Sequence, residues 1–237
     1  GKKKASVKYI GKKGNNDICK YLIKNINTSY NSTVTSVRFN SNHWVITLNN
    51  KDEMLFKNLI LTCPFPQLKK LASSYLKKKI LKLKVQMSPN ITVMVAYKNN
   101  KKLPINSIKF NDKIISWVAQ ENSKDRFRSN KILWTIQCTE DFSKKIIDLF
   151  KRNKNVYQSI ILNKFEDLLG YQAKNIVYKS IHGWKYSSNK IETPLDCCWD
   201  NKNKLGICAD WFIGPYAEDA WLSANSLYKQ IKKNPLR

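Results

Sequence analysis

Residues able to do chemistry gather near the end of the chain. Gly206-Ile207-Cys208-Ala209-Asp210-Trp211-Phe212 reads as a short apolar strand with an Asp at its tip. Gly214 marks a turn, and Ala217-Glu218-Asp219-Ala220-Trp221-Leu222-Ser223 opens an amphipathic helix. A strand tip aimed at a helix N-terminus is a ready anion site, because unpaired backbone N–H groups and the helix dipole both point at it. The chemistry implied is the capture of a phosphate-bearing ligand.

Other chemistry is sparse. The chain has no G-x-S-x-G elbow, H-E-x-x-H pair or G-x-x-x-x-G-K-[ST] loop. His182 has no Ser or Cys partner marked by sequence, and His43 sits beside Trp44 in a predicted hairpin. No catalytic residue is assigned. Six Cys without a C-x-x-C spacing, and two His, argue against zinc, so no metal site is expected. Cys197 and Cys198 are adjacent, where a disulfide would be strained. Free thiols in a reducing compartment are therefore expected, and with them a cytoplasmic location.

The elements that must position these residues are legible in outline. Asn16-Asp17 predicts a helix start, with Ile18, Tyr21, Leu22 and Ile26 on its apolar side. Val34 to Phe39, Trp44 to Leu48 and Glu53 to Phe56 predict strands joined by polar hairpin connections. Leu59-Ile60-Leu61-Thr62 is a continuous apolar run, as in a strand buried on both faces. It stops at Cys63-Pro64-Phe65-Pro66, and a short helix through Leu68 and Leu71 comes next.

After a basic connector, Lys77 to Lys84, strands are expected at Ile91 to Tyr97, Ser107 to Phe110, Ile114 to Ala119 and Ile132 to Gln137. The polar stretch Glu121 to Asn130 reads as a surface loop. Two helices come next. One starts at Thr139 or Glu140, with Ile146, Leu149 and Phe150 on one side; the other runs from about Val156 to Leu169 and ends at Gly170. A strand from Ile176 leads into Ile181-His182-Gly183-Trp184-Lys185-Tyr186. The last helix carries Ala217, Ala220, Trp221, Ala224, Leu227, Tyr228 and Ile231 at helical spacing.

The net charge of +26 is spread along the chain in Lys pairs and triplets. It reads as a solvated surface that favours anionic ligands; a basic nucleic-acid-binding module is the alternative. No apolar run reaches the roughly 18–20 residues of a membrane span. Gly1-Lys2-Lys3-Lys4 has no apolar stretch behind it and is not a signal peptide. The expected partner is therefore a small molecule, with no specific nucleic acid and no membrane.

Taken in order, the motifs resemble the renalase-like branch of the flavin-dependent amine oxidase superfamily. The matching stretches are Val34-Thr35-Ser36-Val37, Leu59 to Pro64 with Pro66-Gln67, and Trp117. They continue with Trp134-Thr135-Ile136-Gln137, His182-Gly183-Trp184-Lys185-Tyr186, Ala209-Asp210-Trp211 and Glu218 to Ser223. The resemblance implies FAD as cofactor. A flavin takes hydride at its own ring, which leaves the protein to bind, orient and set the electrostatics.

By that resemblance, the backbone near Val34 meets the adenine end. Thr62, Cys63 and Pro64 lie beside the dinucleotide, and Asp210 approaches the ribityl and pyrophosphate region. Glu218, Asp219 and Ala220 present the helix N-terminus to the flavin pyrimidine edge. Trp184 and Tyr186 border the substrate pocket. The implied reaction is hydride transfer from an amine or a dihydronicotinamide dinucleotide to FAD, with reoxidation by oxygen. An inactive flavoprotein-like scaffold is a further alternative.

Three positions depart from the family pattern. The G-x-G-x-x-G phosphate loop is absent, and Gly11 and Gly14 have the wrong spacing for it. Asp219 stands where the family has Gly, and its carboxylate would repel an anionic reduced flavin unless it turns away. Ala224 replaces another Gly. The absent loop leads to the expectation that roughly a hundred residues precede this sequence in a longer protein.

The resulting fold expectation is mixed α/β, of the α+β kind. Residues 1–76 and 200–237 would be remnants of an FAD-binding domain. Residues 77–199 would be a substrate domain, with an antiparallel sheet flanked by helices.

Overall fold

The computed structural model describes residues 9–98, 103–124, 126, 129–190 and 193–233. The Gly1 to Lys4 start lies outside them. Helices and sheets are mixed, and antiparallel pairing predominates. Two compact units divide the chain: the described residues of Gly1–Thr28 and Pro89–Lys185, and those of Ser29–Ser88 and Tyr186–Arg237.

The first unit is built on a five-stranded antiparallel sheet. Its strands are β5 (Met87–Tyr97), β6 (Ser107–Lys109), β7 (Ile115–Gln120), β8 (Ile132–Cys138) and β9 (Ile176–Asn189), in the order β6-β7-β8-β5-β9. Alternation puts Ile91, Val93, Val95 and Tyr97 of β5 on one face, with Ile132, Trp134, Ile136 and Cys138 of β8. That face packs against α4 (Glu140–Ile146) and α5 (Lys154–Leu169), burying Ile146, Ile161, Leu162 and Phe165. Phe165 sits among Tyr97, Trp134 and Tyr171, with ring centroids 5.5–6.2 Å from its own.

Helix boundaries here reflect local chemistry. The Thr139 hydroxyl caps α4 by accepting the Phe142 N–H. Gly170 ends α5 in the left-handed conformation at φ 70°. Helix α4 stops at Ile146, so Leu149 escapes the expected apolar side and is exposed, while Phe150 stays buried. The stretch expected as a loop after β7 instead begins with a short 3-10 turn, Glu121–Lys124, tied down by Glu121 to Lys124 and Thr135.

The N-terminal helix, α1 (Asp17–Leu22), is six residues long and buries none of them. Ile18, Tyr21, Leu22 and Ile26 are exposed, contrary to the apolar side expected from their spacing. Asn16 makes no side-chain cap; the Asp17 carboxylate accepts from Lys13 and Gly14 N–H groups instead.

The second unit holds two small sheets. In one, β1 (Val34–Asn40), β2 (His43–Leu48) and β3 (Glu53–Phe56) form a meander. Ser41 and Asn42, both at positive φ, make the first hairpin turn. Trp44 anchors this sheet, with no exposed surface, an N–H on the Asn203 carbonyl and an edge-on contact with Tyr75.

In the other small sheet, β4 (Leu59–Leu61) runs parallel to β11 (Leu205–Ile207), which pairs antiparallel with β10 (Cys198–Asp200). Helices α2 (Phe65–Ala72) and α3 (Lys78–Leu81) close the core through Phe65, Leu68, Ala72 and Ile80. The last helix, α6 (Ala217–Lys233), adds Leu227 to a cluster with Cys197, Trp199 and Cys208. The apolar run of β4 is not buried on both sides as its sequence implies. It is the edge strand of its sheet, with Leu59 and Leu61 buried and Ile60 50% exposed.

All six cysteines are unpaired. Cys138, Cys197, Cys198 and Cys208 are buried, Cys63 is half-buried and Cys19 is exposed. Burial pushes the Cys138 thiol up to about 12, and burial with the Asp196 charge pushes Cys197 up to about 11.

Phe165→Ala should cost about 3–5 kcal/mol in urea unfolding, the range for truncating a buried aromatic. Leu149→Ala, at an exposed position, should stay within about 0.5 kcal/mol of the parent.

Candidate functional site

The second unit brings most of the sequence-marked residues to two neighbouring features. The first is a hollow of about 640 Å3 lined by Thr33, Val34, Thr35, Ile60, Leu61, Thr62, Cys63, Gln67, Lys70 and Leu71. It gathers the start of β1, the tip of β4 and one side of α2. Val34, Thr62 and Cys63 therefore share one wall system, and Pro64 begins the next element as the residue that leads into α2. The extended φ and ψ of Pro64 (-52° and 145°) turn the chain from strand to helix, and Pro66 fits the helix's first turn, where no N–H is needed.

The lining is amphiphilic. Val34, Ile60, Leu61 and Leu71 give apolar walls, three Thr and Gln67 give hydrogen-bonding groups, and Lys70 gives a cation. Among the described residues, no carboxylate lines it. Sequence reasoning missed Gln67, Lys70 and Leu71 as a group. Their i, i+3, i+4 spacing on α2 is the signal that places them on one side.

The second feature is the start of α6. Asp210 lies just beyond β11 in a 3-10 turn, Asp210–Phe212, and is half-buried. Its Oδ1 accepts the Trp211 N–H at 2.8 Å, and its carbonyl accepts from Ile213 and Gly214. Burial raises its pKa above the ordinary carboxylate value, and the Asp219 charge adds to this against the Trp211 N–H.

Asp219 does not stand free. Its Oδ2 accepts the Tyr216 N–H at 2.8 Å, closing the first turn of α6 as the third residue of a capping box does. This arrangement requires Gly214, since a Cβ there would lie 2.6 Å from Asp219 Oδ2. The carboxylate is thus committed to the helix's own N–H. Glu218 is exposed and Ala220 half-buried on the same turn.

Two hydrogen bonds fix these features. The Trp211 indole, with no exposed surface, donates Nε1–H to the Cys63 carbonyl at 3.1 Å and lies against Phe65 and Phe212. The Ser223 hydroxyl, fully buried on α6, accepts the Ala209 N–H at 3.0 Å and donates to the Asp196 carbonyl.

Trp184 and Tyr186 both lie on β9. Trp184 is 55% exposed, with its ring 4.3 Å from that of His182, and Tyr186 is half-buried. Neither is part of the hollow's lining.

No family model matches the chain. Among solved structures it is similar to a protein described as a protoporphyrinogen oxidase from Exiguobacterium sp. 255-15. The TM-score is 0.70 at 11% identity, over 94% of this chain and 52% of that one. It is also similar to a triple mutant of putrescine oxidase made in a redesign of cofactor binding (TM-score 0.61, 10% identity, 92% of this chain and 52% of that one). Wild-type putrescine oxidase bound to putrescine matches with a TM-score of 0.58 at 10% identity, over 91% of this chain and 52% of that one. The fold is thus part of a flavin amine oxidase-like fold, and the chain spans about half the length of these structures.

Ser223→Ala should cost about 1–3 kcal/mol, because it strands two backbone groups that the hydroxyl joins. Asp210 has its pKa raised in the folded state, so its ionised form is the less favoured one there. Folding is opposed by this group once pH rises past the unfolded value and through the folded one. Asp210→Asn keeps the Trp211 acceptor. It should melt at or above the parent temperature at pH 7, and the difference should shrink as pH falls toward 4.

Proposed function

We propose that the chain is part of an FAD-dependent oxidoreductase of renalase-like type, acting on a small molecule, either an amine or a dihydronicotinamide dinucleotide. The observation that carries this reading is the hollow at Val34, Thr62 and Cys63, within a fold shared with flavin amine oxidase-like structures. The residues fit the cofactor's adenosine diphosphate portion. Apolar walls suit a base, Thr and Gln side chains suit ribose hydroxyls, and Lys70, with no carboxylate among the described lining residues, suits a phosphate.

When bound, FAD would supply the ring that accepts hydride and passes electrons to oxygen, yielding hydrogen peroxide. The chain's own part is to hold and polarise. Asp210 would take the ribityl hydroxyls. The first turn of α6, with Glu218, Asp219 and Ala220, would turn the positive end of the helix toward negative charge on the pyrimidine edge, the Asp219 N–H itself being donated to the Tyr216 carbonyl. Because Asp219 is occupied by the Tyr216 N–H, its repulsion of that charge is reduced. Trp184 and Tyr186 would border the substrate. A preceding segment would carry the phosphate loop that this sequence lacks, and the location would be cytoplasmic. Among the described residues, no helix is long and apolar enough to cross a membrane.

Two measurements test this. Expression with the upstream codons included should give a yellow protein with a flavin spectrum; a folded, colourless product would overturn the reading. Titration of the 237-residue chain with FAD should quench flavin fluorescence. Ile60→Arg, placed at an exposed lining position, should abolish that quenching while circular dichroism stays unchanged.

A further inference from the structure

Two of the buried thiols face each other across a pair of strands. In the β10–β11 ladder, Asp200 stands opposite Leu205, Trp199 opposite Gly206 and Cys198 opposite Ile207. One step further, the same register sets Cys197 opposite Cys208. The step beyond that is fixed too. Ser223 of α6 accepts the Ala209 N–H and donates to the Asp196 carbonyl, so its hydroxyl bridges the next pair in line. Cys197 and Cys208 are thus held between a direct pair and a hydroxyl-bridged one.

The kind of pairing follows from the other neighbour of β11. The Lys204 carbonyl accepts the Leu59 N–H, and the Cys208 N–H is donated to the Leu61 carbonyl, both on the β4 side. Backbone groups alternate in direction along a strand, so Leu205 and Ile207 turn theirs to β10. Cys197 and Cys208 therefore form a non-hydrogen-bonded pair, the closer of the two kinds, with Cα atoms about 4.5 Å apart. A disulfide takes Cα separations of about 4.4–6.8 Å.

Side-chain direction agrees. Cys197, Trp199 and Cys208 cluster with Leu227 of α6, while Cys198, Leu205 and Ile207 belong to the core on the other face of the sheet. Cys197 thus shares a face with Cys208, and its chain neighbour Cys198 does not. Gly206 lets the helix down onto that face, since a Cβ there would lie 3.0 Å from Leu227. Both thiols are free and no more than 5% exposed. Burial, and after it the nearby Asp196 and Cys208, push the Cys197 thiol up to about 11; burial also raises Cys208. Closed under α6, neither thiol ionises appreciably at neutral pH, and the pair is inert.

We propose that Cys197 and Cys208 are a redox modification site, a cross-strand dithiol that a peroxide closes to a disulfide when α6 lifts from it. Local opening admits water and oxidant and lets one thiol lose its proton. That sulfur attacks a peroxide oxygen, the O–O bond breaks, and the departing hydroxide takes up the proton as water. The second sulfur then attacks the sulfenic acid so formed; the S–S bond forms, the S–O bond breaks, and a second water leaves with the second thiol's proton. Two thiols give two electrons to one peroxide. The disulfide staples β10 to β11 beside Asp210. This chemistry needs only the chain and an oxidant of that class, so it stands apart from the flavin reading.

Hydrogen peroxide is the probe, applied to the folded 237-residue chain. The treated chain is unfolded, its remaining thiols are blocked with iodoacetamide, and its tryptic peptides are weighed. Peptides 191–202 and 205–229 should be joined by a disulfide that dithiothreitol separates. Cys198→Ala should leave the joining unchanged. Cys197→Ser and Cys208→Ser, each checked for folding by circular dichroism, should abolish it. Leu227→Ala, which uncovers the pair, should speed it several-fold. Absence of joined peptides in the parent, joining that persists in Cys197→Ser or Cys208→Ser, joining lost in Cys198→Ala, or an unchanged rate in Leu227→Ala would overturn the proposal.

Discussion

The hydrogen bond from the Trp211 indole to the Cys63 carbonyl is the constraint on which the candidate functional site depends. β4 and β11 are three residues each, and their parallel pairing alone is too short to fix the direction in which the chain leaves them. Trp211 supplies what the ladder lacks. It joins the chain just beyond β4 to the turn after β11 through an indole with no exposed surface, where an unpaired N–H would be costly. Its ring fills the space beside Phe65 and Phe212, so the bond is also shielded. The hollow on one side and the start of α6 on the other take their positions from this joint, and Ser223 repeats the device one step further along.

How much of this was legible in the residues varies with the kind of signal. The strands were readable because alternation and polar turn residues are local properties: Val34–Asn40, His43–Leu48 and Ile132–Cys138 all stand within a residue or two of where their patterns put them. The start of α4 and the end of α5 were readable from Thr139 and Gly170, whose roles are local too. Burial was less so. Ile18, Tyr21 and Leu22 have helical spacing, but spacing does not say what lies opposite, and they are exposed. Likewise Leu59-Ile60-Leu61 has the composition of a central strand yet occupies an edge.

At the candidate site, the residue types carry no sign of the wiring. Asp219 read as a charge in an awkward place, because its bond to the Tyr216 N–H depends on Gly214 leaving room for it. The resemblance singled out Val34, Thr62 and Cys63, which the structure gathers at one hollow, while Lys70 and Gln67 join them only through the packing of α2.

The cysteines have a consequence for handling the molecule. Four of the six are enclosed by core side chains, and Cys63 is held above its ordinary pKa by partial burial. Cys19 stands in the open on α1. A maleimide dye added to the native chain would therefore react first at Cys19, with Cys63 in the wall of the hollow the next to follow. The sequence thus comes with a built-in handle for single-molecule spectroscopy, and Cys63 is the one partly accessible thiol to replace for strict single-site labelling.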